Sequence, residues 1–116
     1  MLAQLMGLRT VSPDALHDLM QGRGDVAIFD LNSRQSWESA RVPGARHLDA
    51  KRYGDDELPS DRNAMLVFYC SNPMCRKAPN AARRARQGGY ANVYVMSAGI
   101  GGWLAARLPT ESGPCS

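Results

Sequence analysis

Cys70 stands directly after the apolar run Met65-Leu66-Val67-Phe68-Tyr69 and just before an arginine-rich, helix-forming stretch, with Ser71, Asn72, Pro73, Met74, Cys75 and Arg76 completing a tight loop. A thiol at the end of a strand, with its loop curling into a helix, is an anion trap. The first turn of a helix leaves N–H groups without intrahelical partners and carries the positive end of the macrodipole. A thiol held there is biased toward thiolate, from a free value of about 8.5 to roughly 3.5–7.5. Arg76 and Lys77 add fixed cations. Free cysteines often serve only as small buried hydrophobes. Cys70, however, lies where a buried strand meets a polar loop, which is where α/β proteins place ligands. Cys70 is therefore the candidate nucleophile and Ser71, Asn72, Pro73, Met74, Cys75 and Arg76 the candidate substrate-binding loop. Cys75, five residues on, is a candidate resolving thiol for an oxidised Cys70.

The elements that must position this loop alternate along the chain. Ser12-Pro13-Asp14 reads as an N-cap, a first-turn proline and a first-turn acid, opening a helix through about Met20 that Gly22 and Gly24 end. Val26–Phe29, Met65–Tyr69 and Val93–Met96 are short continuous apolar runs, as expected for strands buried on both faces. Helical stretches are expected near 34–40 and 78–87, and His47 in a further strand. Strands alternating with helices imply right-handed crossovers: an α/β fold with a mostly parallel central sheet and helices on both faces. Tyr53 to Asp61 reads as surface loop, residues 1–9 as an N-terminal arm and 112–116 as a frayed tail containing Cys115.

Composition fits one domain. The chain has 116 residues, 44% of them hydrophobic, enough for a small core. No segment approaches the roughly 20 apolar residues of a membrane span, and Met1 to Leu8 lacks the features of a secretory signal. Three cysteines, two in one loop, fit a reducing compartment and thiol chemistry, hence a cytoplasmic expectation. The net charge is +3, and Arg76, Lys77, Arg83, Arg84 and Arg86 crowd one stretch without an acid among them. That stretch has no interleaved aromatics, so a solvated helix face or guidance of a small anion is expected before nucleic-acid binding. Neither His17 nor His47 has a cysteine or carboxylate at ligand spacing, so no metal is expected. Trp37 and Trp103 read as packing anchors.

Three ordered blocks resemble the rhodanese-like domain family. Asp30 closes a strand, Trp37-Glu38 follows on a short helix, and Val42-Pro43-Gly44-Ala45 leads to Arg46-His47-Leu48. Downstream, Tyr90 to Met96, Gly99, Gly101-Gly102-Trp103 and Leu108-Pro109 resemble the family's last strand, glycine-rich turn and closing helix. The resemblance implies a single-domain sulfurtransferase: Cys70 takes sulfur from a small anionic donor such as thiosulfate, becomes a persulfide, and passes it to a thiol or cyanide-like acceptor without a cofactor. The sequence departs from the family twice. Cys70 to Arg76 counts seven residues where single-domain sulfurtransferases have six, a spacing similar to the related cell-cycle phosphatases and arsenate reductases. Those phosphatases have histidine where Tyr69 stands, and any general acid would have to come from outside the loop, for example Asp55 or Asp56. The second departure is Asp30-Leu31-Asn32, where many relatives carry arginine in the last position; Arg34 is the nearest substitute. A phosphatase or arsenate reductase, or a non-catalytic binding or sulfur-carrier module, are the alternatives.

Overall fold

The computed structural model describes Ala3 and residues 7–115. Two apolar runs form its centre. Strands β2 (Val26–Asp30) and β4 (Met65–Tyr69) pair in parallel, with Val26 opposite Met65 and Asp30 opposite Tyr69. β5 (Asn92–Val95) lies on the other side of β4, and the two-residue strands β1 (Arg9–Thr10) and β3 (Arg46–His47) close the edges. The order is β1-β5-β4-β2-β3, and every pairing is parallel. The expected parallel α/β fold is thus observed. Edge strands this short leave few unpaired groups to template association.

Side chains alternate across a strand, so parity along β4 decides where the thiol points. Met65, Val67 and Tyr69 join a core with Leu16, Ile28, Met96 and Trp103, beneath helices α1 (Pro13–Gly22) and α4 (Gly99–Ala105). Leu66, Phe68 and Cys70 face the opposite core, with Phe29 and Ala78, Ala81, Ala82 and Ala85 of helix α3 (Lys77–Gln87). Four alanines on one face of α3 let the helix lie close over the sheet. The same parity aims the Cys70 thiol at the start of that helix.

Several boundaries differ from the sequence expectation. α1 opens as expected, Ser12 Oγ accepting from the Ala15 N–H at 3.1 Å, but runs through Gly22 to a cap at Arg23. Helix α2 (Arg34–Ser39) is capped by Ser33. Tyr53 to Asp61 is not simply surface: Tyr53 and Leu58 are buried, and Tyr53 Oη donates to the Ala81 carbonyl at 3.0 Å, flanking a 3₁₀ turn at Asp55–Glu57. Of the expected arm, residues 1, 2 and 4–6 lie outside the described residues, while Leu8 is buried and Arg9 belongs to β1. Over its described residues the expected frayed tail is tied down. Arg41, 1% exposed and stacked on Trp37, donates to the carbonyls of Gly113 at 2.9 Å and Cys115 at 2.7 Å. Ser116 lies outside the described residues.

Candidate active site

Cys70 is the first residue past β4, and its backbone is fixed from behind. Its carbonyl accepts from the Ile100 N–H at 2.9 Å, and the Ser71 carbonyl accepts from the Gly101 N–H at 3.0 Å. This contact requires glycine at position 99 and favours it at 101. Gly99 has φ +67°, and a Cβ there would lie 2.5 Å from the Ser71 carbonyl carbon; one on Gly101 would lie 3.1 Å from the Ser71 oxygen. The glycine-rich turn after β5 is therefore the seat of the loop.

A buried polar network supports the loop from the β2 side. Tyr69 Oη donates to Asp30 Oδ2 at 2.7 Å and accepts from the Val42 N–H at 3.1 Å; Asp30 Oδ1 accepts from the Asn32 N–H at 2.8 Å. Burial pushes the Asp30 carboxyl above its ordinary value, and burial beside Asp30 pushes the Tyr69 phenol up as well. Asn32 carries the network into the loop, its Oδ1 accepting from Ser71 Oγ at 2.9 Å, while His47 Nε2 donates to the Asn32 carbonyl at 2.7 Å. Asn32 thus occupies the place expected of an arginine. Arg34 does not replace it there: its guanidinium faces Glu38, the Pro114 carbonyl and the Trp37 ring.

The two loop thiols lie together. Cys70 is 3% exposed and Cys75 half-buried, both unoxidised, and the two thiols are near enough to shift one another's ionisation. Burial, with Cys75 alongside, pushes the Cys70 thiol up to about 12. This corrects the expectation of an acidic Cys70. The N–H groups of Ala78 and Ser71 do favour its thiolate, but desolvation outweighs them. The lowered thiol is Cys75. Its own burial opposes ionisation, yet the neighbouring Cys70 thiol, the N–H groups of Lys77 and Ser71, and the Lys77 charge together overcome it. The first proton lost from the pair therefore leaves its negative charge on the Cys75 side.

The anion cradle is only partly formed. Met74 N–H is spent on Asn72 Oδ1 at 2.9 Å, Cys75 N–H on the Asn72 carbonyl at 3.1 Å, and Pro73 has no N–H. Only the N–H groups of Ser71, Lys77 and Ala78 act on the sulfurs. The space at Cys70 is about 10 Å³, room for no more than about one water. Met74 at the tip is 84% exposed, and Arg76, whose backbone caps α3 without a side-chain bond, is exposed with no hydrogen-bonding partner for its guanidinium among the described residues. Asp55 and Asp56, the outside candidates for a general acid, line neither the space at Cys70 nor the larger cavity beside the loop. No metal-ligating cluster and no helix long and apolar enough to cross a membrane occur among the described residues.

A parallel α/β sheet with a cysteine loop seated on a glycine-rich turn matches the profile of the Rhodanese-like domain over residues 12–106, and the chain belongs to that family. It is 29% identical to thiosulfate sulfurtransferase GlpE of Actinobacillus succinogenes, over 92% of this chain and 94% of that one. It is 32% identical over 78% of its length to the HTH-type transcriptional regulator Rv0324 of Mycobacterium tuberculosis, of which it spans 39%. The crystal structure of the BH2092 protein from Bacillus halodurans superposes with a TM-score of 0.82 at 18% identity, covering 97% of this chain and 82% of that one. The fold and family expected from the three sequence blocks are those observed.

Sequence reasoning placed Cys70, Ser71 and Cys75 in one site but missed the supporting role of Asn32, Tyr69 and Asp30. Asp30 and Tyr69 end neighbouring apolar runs at equal register, and a carboxyl opposite a phenol at the ends of two buried strands was the available signal.

Proposed function

We propose that this chain is a sulfurtransferase that carries sulfane sulfur on Cys70. The observation that carries the reading is the juxtaposition of the Cys70 and Cys75 thiols under the N–H groups of Ser71, Lys77 and Ala78. Cys75 as thiolate takes the Cys70 proton. The Cys70 thiolate attacks the outer sulfur of an anionic donor such as thiosulfate, and the donor's S–S bond breaks, sulfite leaving with the electron pair. The persulfide's negative charge rests on the same N–H groups, with Arg76 free to close on the donor's oxygens. A thiol or cyanide-like acceptor then attacks the terminal sulfur and returns the Cys70 thiolate. No organic cofactor enters this scheme. The similarity to a protein named thiosulfate sulfurtransferase supports the reading.

The seven-residue spacing from Cys70 to Arg76 favours, as a second reading, phosphate or arsenate chemistry at the same thiol. It lacks a carboxylic acid placed to protonate a leaving alkoxide. Thiocyanate formation from thiosulfate and cyanide, measured beside phosphate release from an aryl phosphate, separates the two. We expect thiocyanate alone, a persulfide mass on the Cys70 peptide, and loss of both in Cys70→Ser. Phosphate release abolished by Cys70→Ser would establish the second reading, and neither product would leave a binding or sulfur-carrier module.

A further inference from the structure

Strand register brings a further polar side chain to the face of the sheet that carries Cys70. β4 and β5 pair with Phe68 opposite Val95, so Cys70 and Ser97 each stand two residues beyond that pair. Side chains alternate along both strands, and the intervening Tyr69 and Met96 turn to the other core. Ser97 accordingly lines the small space at Cys70. Among the described residues its side chain is the one in that lining that is neither apolar nor a thiol, with Pro73, Ala78, Pro79 and Val95 forming much of the rest. Ser97 is 8% exposed, and its buried Oγ has no hydrogen-bond partner among the described residues. It therefore faces the space it shares with Cys70 without bonding the resting thiol. A buried hydroxyl left unpaired is costly and calls for an explanation.

The size of the space supplies one. About 10 Å³ has no room for the oxygens of a donor, but it is of the order of a single atom. The sulfur that Cys70 would acquire is one atom, bonded about 2.05 Å beyond its Sγ. We propose that the outer sulfur of the Cys70 persulfide lodges in this space and that Ser97 Oγ–H donates a hydrogen bond to it, which makes Ser97 a catalytic residue. This rests on the sulfur-transfer reading and gives the transferred atom its place. As the Cys70 thiolate bonds to the outer sulfur of thiosulfate, the donor's S–S bond breaks and sulfite leaves with the electron pair. The negative charge passes from Cys70 Sγ to the new terminal sulfur. The N–H groups of Ser71, Lys77 and Ala78 already act on the resting sulfurs, whereas the Ser97 hydroxyl gains its partner only when sulfur is loaded. Apolar walls strengthen that charge-assisted bond. The hydroxyl thus favours the persulfide over the resting thiol.

The test is the equilibrium in which thiosulfate and the Cys70 thiolate give sulfite and the Cys70 persulfide. Intact-protein mass spectrometry reads the loaded fraction across a series of sulfite-to-thiosulfate ratios. Ser97→Ala should lower the equilibrium constant about tenfold, the loss expected when a charged group gives up a hydrogen bond. Ser97→Thr, which keeps the hydroxyl, should stay near the parent value. Thermal unfolding of the sulfur-free proteins should place Ser97→Ala at or above the parent Tm, because an unpaired buried donor does not support the resting fold. An unchanged equilibrium in Ser97→Ala, an equal fall in a folded Ser97→Thr, or a lowered Tm in sulfur-free Ser97→Ala overturns the proposal and leaves the sulfur-transfer reading intact. A parent protein that takes up no sulfur from thiosulfate overturns that reading, and the role of Ser97 with it.

Discussion

The floor and the lip of the site are built in opposite ways. Behind Cys70, the Ile100 and Gly101 amides, the Gly99 contact and the Asp30–Tyr69–Val42 network leave the main chain no room to move. In front, Asn72 to Arg76 project Met74 into solvent and hold themselves by two short bonds to Asn72. The difference assigns the tasks: the floor fixes one sulfur, and the lip has to open, since about 10 Å³ at Cys70 admits no oxyanion. Releasing Met74 and Cys75 from Asn72 would turn two further N–H groups toward a bound anion.

The largest expected effect comes from breaking the floor. Gly99→Ala adds a methyl where backbone already stands and forces alanine to φ +67°, so it should cost about 3 kcal/mol or more and lower Tm accordingly. Thermal unfolding checks it, and a Tm unchanged from the parent would show that the seat is not tight. Tyr69→Phe comes next. It removes the donor to Asp30 and the acceptor of the Val42 N–H, and should cost about 1–3 kcal/mol in urea unfolding.

The network also sets a pH dependence. The Asp30 carboxyl is raised in the folded chain by burial, so between its unfolded value near 3.8 and its higher folded value the native state binds more protons than the unfolded state. Stability from this group is complete below the unfolded value and declines as pH rises through that window. Asp30→Asn should flatten the stability curve above the unfolded carboxyl value, read from denaturant midpoints across a pH series. An identical slope in parent and variant would assign it to other carboxyls.

The lip should yield the smallest effects on stability and distinct effects on reactivity. Asn72→Ala is expected to cost below about 1 kcal/mol while accelerating hydrogen exchange at Met74 and Cys75, leaving Ile100 and Gly101 protected. Iodoacetamide near neutral pH should label Cys75 before Cys70, because Cys75 is the more exposed and the more acidic of the pair. Cys75→Ser removes the competing charge and should move the alkylation pKa of Cys70 downward from about 12, followed by peptide mapping. Under mild peroxide, a Cys70 sulfenic acid should condense with the Cys75 thiol, losing water to form a disulfide. Sulfinic Cys70 appearing equally in parent and Cys75→Ser would refute that role.

Most of the fold was legible because its central strands are uninterrupted apolar runs and its first helix carries a cap at Ser12. The site was legible in position but not in electrostatics. Its acidity depends on which face of β4 carries Cys70 and how deeply α3's alanines bury that face, and both emerge from packing. Likewise the local spacing of Cys75 from Cys70 fixes no direction for its side chain, and Arg34, though near Asn32 in sequence, is held by Glu38, the Pro114 carbonyl and the Trp37 ring rather than by the loop. Tyr53 and Leu58 were hidden among acids and prolines, where polarity of the neighbours masked two core residues.

Arg41 joins pieces of chain that meet late. Its guanidinium reaches Cys115 across 74 positions, and Arg41 and Glu111 form an antiparallel bridge in an otherwise parallel fold. Closing so long a segment has an entropic cost that nothing local offsets, so these contacts are expected to be absent when the central sheet first assembles. Arg41 therefore acts as a brake on unfolding: removing it should leave the refolding rate nearly untouched and quicken escape from the native state.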